Sequence, residues 1–126
     1  MNKTIDIFDY IKQKYDVLPE YPFKDDNAVF RHNNNKKWFG ITICNLPKRR
    51  LNVNSEELCV VLNVKCEPTL ILNIIDNENI FPAYHMNKKH WISILLDDNL
   101  DYKLLTSLID ISYDLTAKRK RFAQPL

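Results

Sequence analysis

The chain predicts an α+β fold of two layers. An antiparallel sheet of about five strands lies under helices packed mainly on one face. Two observations lead there. Alternating apolar runs at residues 28–32, 37–44, 57–65 and 91–96 have the period of half-buried strands. Between and around them, three segments repeat apolar residues at helical spacing, and the links are of hairpin length. The resulting order is α-β-β-β-α-β-β-α.

Each element has a local reason. Thr4 can cap a first helix, in which Ile5, Phe8, Ile11 and Tyr15 recur on one face while Asp6, Asp9, Lys12 and Lys14 face water. Pro19 and Pro22 then forbid a helix, so residues 18–23 read as an extended connector. The strands 28–32 and 37–44 form a hairpin around Asn33-Asn34-Asn35. Asparagine tolerates left-handed dihedrals, which matters where Gly40 is the one glycine. Residues 46–55 read as a polar link with Pro47 and the bases Lys48, Arg49 and Arg50. In strand 57–65, Leu58, Val60, Leu62 and Val64 share a face, and Cys59, Val61 and Asn63 share the other, so both sides can be covered. Glu67-Pro68 opens a short helix with Leu70, Ile71, Ile74 and Ile75 as its apolar face. Residues 80–86 read as a short edge segment. Asp97-Asp98-Asn99 turns into a last helix, about 101–118, with Leu104, Leu105, Leu108, Ile111, Tyr113 and Leu115 as a broad stripe.

A length of 126 residues predicts one domain, 1–118, followed by a frayed basic tail, 119–126. A single glycine excludes P-loop and Rossmann phosphate loops. No segment is long and apolar enough to span a bilayer, and the start, with Asp6 and Asp9, is unlike a signal peptide, so a cytoplasmic protein is expected. Cys44, Cys59 and Cys66 form no CxxC pair and read as buried or half-buried thiols. His85 and His90 are spaced wrongly to align on a helix or a strand face and lack a third ligand nearby, so no metal and no cofactor are expected. No serine sits in a nucleophile motif. Ser112 reads as a hydroxyl bonded to backbone between helix and sheet, and no enzymatic activity is expected.

The net charge is only +2, but the charge is polarised. No acid falls between Asp26 and Glu56, where Arg31, Lys36, Lys37, Lys48, Arg49 and Arg50 lie, nor between Glu78 and Asp97, where Lys88 and Lys89 lie. A polyanion binder has such a surface. Lysines that keep sheet edges from aggregating would look the same. Twice, a lysine pair precedes a Trp that starts a strand: Lys36-Lys37-Trp38 and Lys88-Lys89-His90-Trp91. Lysines reach phosphates as point charges, and a partly open indole can stack on a base. At least one Trp is expected to be mostly buried. Ile92, Ile94 and Leu96 should face the helices, leaving Trp91 partly open on the other face beside Lys37 or Lys89.

Three blocks add a resemblance. His85-Met86-Asn87-Lys88-Lys89-His90-Trp91, the pair Val29-Phe30-Arg31 and Lys36-Lys37-Trp38-Phe39, and Leu108-Ile109-Asp110-Ile111-Ser112-Tyr113 resemble blocks of the MmcQ/YjbR family in the family's order. The resemblance spans roughly residues 17–115. It implies the same two-layer architecture and DNA binding by a "double wing", with no established reaction. If the two basic loops are wings, Lys36, Lys37, Lys88 and Lys89 should touch phosphates, with Arg31, Arg49, His85, His90 and Trp91 as neighbours. The expectation is weak, largely sequence-independent DNA binding by a monomer without metal or membrane. The alternative is a protein- or peptide-interaction module using an exposed sheet edge.

Overall fold

The computed structural model describes residues 3–117. In chain order its elements are α1 (Lys3–Tyr15), β1 (Val29–Arg31), β2 (Trp38–Pro47), a 3-10 turn (Lys48–Leu51), β3 (Leu58–Lys65), α2 (Pro68–Ile74), β4 (Ile80–Pro82), β5 (Trp91–Leu95) and α3 (Tyr102–Thr116). The strands form one sheet in the order β1-β2-β3-β5-β4, with every neighbouring pair antiparallel. This is the α+β architecture and element order that the sequence predicts.

One sheet face meets α1 and α3. Ile7, Ile11, Leu105, Leu108 and Ile109 pack there against Phe30, Phe39, Leu62, Ile92 and Ile94, all buried. Full burial of such a side chain contributes about 1.5–3 kcal/mol, which makes this face the main source of stability. Ile92 and Ile94 lie in this core with Leu96 packed against it, as expected. A smaller cluster on the opposite face joins Leu46, Leu51, Val61, Phe81 and Leu95, so β3 is indeed covered on both sides.

Several expectations need correction. The buried stripe of α1 runs through Ile7 and Ile11, whereas Ile5 is 56% exposed, and Thr4 lies inside the helix rather than capping it. The shift of stripe follows from Val17 and Tyr15, which anchor the end of α1 to the core and so fix its rotation. Leu104 is exposed on α3, and buried Ile109 takes its place. Strand β2 continues through Pro47, so the segment read as a link from residue 46 is partly ladder: Leu46 pairs with Cys59 and Pro47 with Leu58. In the first hairpin turn the left-handed residue is Lys36 (φ 63°), not an asparagine, although Asn45, Asn52 and Asn77 do adopt that conformation elsewhere. The tail after Lys118 lies outside the described residues.

Two polar devices fasten the helices to the sheet. Ser112 Oγ donates to the Phe39 carbonyl at 2.6 Å and accepts from the Lys65 N–H at 2.8 Å. Pairing of β2 with β3 stops at Ile41 and Asn63, so the hydroxyl replaces the ladder bond missing beyond that point. Asp110 accepts from Tyr10 at 2.7 Å, Tyr15 at 2.5 Å and Lys14 at 2.8 Å, tying α1 to α3. Burial raises the Asp110 pKa, but the hydrogen bonds from Lys14, Tyr15 and Tyr10 outweigh it and hold the carboxyl below its usual range.

Candidate nucleic-acid interface

Strand direction brings the two lysine pairs together. Strands β2 and β5 are each antiparallel to the β3 between them, so they run the same way. The loops that precede them, residues 32–37 and 83–90, therefore leave the same end of the sheet. Their first residues, Trp38 and Trp91, are two strand spacings apart, about 10 Å. Arg31 pairs with Trp38 and Lys65 with Trp91 in the ladder, which adds both cations to that end.

A matching turn shapes each loop. Asn35 Oδ1 accepts from the Lys37 N–H, and Asn87 Oδ1 accepts from the Lys89 N–H, both at 2.8 Å. These are Asx turns, in which a short side chain imitates a backbone turn. The Asn35 amide also donates to the Thr116 carbonyl at 2.9 Å, anchoring the first loop to the end of α3. The Asn87 carbonyl accepts from His90 N–H (3.1 Å) and Trp91 N–H (2.9 Å), and the His90 carbonyl accepts from Cys66 N–H at 2.8 Å, anchoring the second loop to β3. Buried polar side chains finish the second anchor. Asn63 donates to the Tyr84 carbonyl (2.9 Å), Ser93 Oγ donates to Asn63 Oδ1, and Tyr84 N–H donates to Ser93 Oγ (2.8 Å).

Lys36, Lys37, Lys88 and Lys89 are exposed, and none forms an ion pair among the described residues. Arg31 differs: it meets Glu20 through two bonds of 2.7 and 3.2 Å. Arg49 lies elsewhere. It follows the ten-residue β2, at the far end of the sheet, roughly 30 Å of strand away, where it pairs with Glu56 at 2.8 Å. The expectation that Arg49 neighbours the lysines is corrected on that ground. His85 is exposed in a left-handed conformation (φ 61°), in ring contact with Tyr84, and His90 is half-buried. Among the described residues no three His, Cys, Asp or Glu side chains group as metal ligands.

Both indoles are largely buried with part of each surface open, in line with the expectation that at least one Trp is mostly buried. Trp91 lies on the face away from the helices, since its partner Lys65 is two residues along the strand from Asn63. Trp38 lies on that face as well. A bulge where Phe30 pairs with Gly40 and Arg31 with Trp38 turns Phe39 into the helix-side core and leaves Trp38 on the other side with Ile41. A Cβ at Gly40 would meet Leu62 and Phe30 at 3.5 Å, an ordinary packing distance, so its side of the strand faces the helix-side core.

On this open face Trp38, Ile41, Ile43, Asn63, His85 and Met86, with Phe23 and Asn27 from the connector before β1, line a cavity of about 250 Å³. One wall belongs to the strand begun by the first basic loop and the opposite wall to the second basic loop. The sequence does not single out Lys65, Phe23, Asn63 or Met86. Alternation along β3 hints at Lys65 and Asn63, but their strand neighbours are set by pairing that one sequence does not reveal.

Comparison with known proteins agrees with this architecture. An uncharacterised protein, YyaQ of Bacillus subtilis (strain 168), is 39% identical over 113 residues, covering 88% of this chain and 95% of that one. A crystal structure of a Pseudomonas syringae protein superposes with a TM-score of 0.85 at 38% identity, covering 93% of this chain and all of that one. A solution NMR structure from the same organism gives 0.84 at 35% identity, with 98% and 100% covered. The YjbR family model matches residues 12–115, and with these relatives it establishes that the chain belongs to the YjbR family.

Proposed function

We propose that this protein binds DNA through the phosphate backbone, without strong sequence preference, using the loops that hold Lys36-Lys37 and Lys88-Lys89. The observation that supports it best is the convergence of two lysine pairs, without an ion pair among the described residues and about 10 Å apart, at one end of the sheet. Each pair is pre-shaped by an Asx turn and anchored to the fold, so little order has to be gained on binding. Lysine ammonium groups serve phosphates as point charges and need no fixed fork. Arg31, held by Glu20, adds less than its charge suggests, and His85, His90 and Lys65 flank the path. Edge protection alone would not require both lysine pairs at one end or matched turns beneath them.

Four phosphate contacts predict affinity in the range of about 10⁻⁴–10⁻⁶ M at physiological salt. Raising salt from about 50 to 200 mM should weaken duplex binding by roughly a hundredfold. Titration of fluorescently labelled duplex and single-stranded DNA at low salt measures both. Absence of binding to either form at tens of micromolar protein overturns the proposal.

A further inference from the structure

We infer that the cavity between the two basic loops receives one unpaired nucleobase, so that single-stranded DNA is the preferred form of the ligand. This rests on the reading of the lysine loops as backbone contacts and adds the part of the ligand that lies between them. The cavity, about 250 Å³, has room for roughly eight waters at about 30 Å³ each, or for one planar ring system. Its lining suits such a ring. Trp38 is half-buried and meets Phe23 edge-on, with centroids 5.9 Å apart and planes at 81°, so the indole is already held before a ligand arrives. Met86 supplies a soft, adaptable wall.

Two amides line the same cavity. Asn63 is fully buried. It spends its carbonyl on Ser93 and one amide hydrogen on Tyr84, and so forms a fixed polar part of the wall. Asn27 gives its carbonyl to the Cys44 N–H at 2.8 Å and holds a fixed orientation. Among the described residues no carboxylate lines the cavity, and His85 is the one ionisable group in its wall. A cationic guest finds no partner there, whereas a neutral base on an anionic backbone finds rings and amides inside and lysines on either side. A base stacked in a duplex cannot enter without leaving its partner, so the cavity selects unpaired strands.

The test compares three ligands: an oligothymidylate of about twelve nucleotides, an abasic sugar-phosphate strand of equal length, and a duplex. Oligothymidylate should bind about tenfold more tightly than the abasic strand, as one stacked base would give. It should also quench Trp38 emission in a Trp91→Phe protein, where Trp38 alone reports. Phe23 is 52% exposed, so Phe23→Ala leaves the fold intact. That variant and Ile43→Trp, which fills the cavity, should bring oligothymidylate affinity down to that of the abasic strand. Equal binding of all three ligands by the unaltered protein overturns the inference and leaves the backbone reading standing. A single-strand preference that survives both substitutions also overturns it. Binding of no ligand overturns both readings.

Discussion

At one end of the sheet Lys48 meets Glu57 at 2.5 Å and Arg49 meets Glu56 at 2.8 Å; at the other, Lys36, Lys37, Lys88 and Lys89 form no ion pair among the described residues. Read along the chain, the two groups look alike, each a short basic run in an acid-free stretch. In space one group is neutralised locally and the other projects its field into solvent. Local turn chemistry accounts for the difference. The connector after the 3-10 turn brings Glu56 and Glu57 back against the bases before β3 begins. Beside the first lysine loop the segment after α1 returns as well, but its Glu20 is taken by Arg31 rather than by Lys36 or Lys37. Basic density in a sequence therefore says little about a binding surface until the partners of each charge are known.

The largest expected difference between the ends is in DNA affinity. Lys88→Glu with Lys89→Glu should weaken binding by more than about tenfold, because two phosphate contacts become two repulsions. Arg49→Glu with Arg50→Glu, at the far end, should change it by less than about twofold. Equal losses from the two pairs would show that the ends are not distinct. Next comes the anchoring of the lysine end. Ser112→Ala removes the partner of both Lys65 N–H and Phe39 C=O and should cost about 1–3 kcal/mol. Calorimetry should find Tm lowered by roughly 4–12 °C, and hydrogen exchange should find the Lys65 amide deprotected.

Acid should act on the same end. His32 is buried under the first loop, 2.7 Å from Thr116 Oγ1. Burial depresses its pKa below the usual 6.5, against a backbone contact to Tyr113 that raises it, while Lys37 lowers it further. Its stabilising contribution is complete above about pH 6.5 and is lost as pH falls through the lower folded value. Thermal stability should therefore drop between about pH 7 and 5, and His32→Gln should flatten that drop. A wild-type Tm that does not fall over that range would contradict the assignment. The smallest effect belongs to the far end. Glu56→Gln breaks an exposed ion pair and should shift stability by less than about 1 kcal/mol, read from urea denaturation.

The strands of the lysine end were legible because alternation at residues 91–96 and 57–65 is regular and their faces differ in polarity. Repetition of Asn-Lys-Lys before a Trp was equally visible, and it pointed to both loops. The rotation of α1 was not, since Ile5 and Ile7 fit a helical stripe equally well until Tyr15 and Val17 find their neighbours. Asp110 binds Tyr10 and Tyr15 across about a hundred residues of chain, which no local pattern encodes. Arg49 misled for a related reason: its proximity in sequence to Arg31 hides a full length of β2 between them. The cavity needed a bulge at Gly40 to turn Trp38 toward it, and a lone glycine in a strand signals a bulge without saying which way the next ring will face.

The spacing of the two lysine loops is measured by the ladder on β3 and not by the fifty or so residues that separate them in the chain. The link between the 3-10 turn and β3, around Asn52 to Ser55, lies at the opposite end and takes no part in that measurement. It can be lengthened, nicked or given a tag without moving one lysine pair relative to the other. That makes it the natural place for new chain termini in a rearranged protein whose basic loops keep their separation.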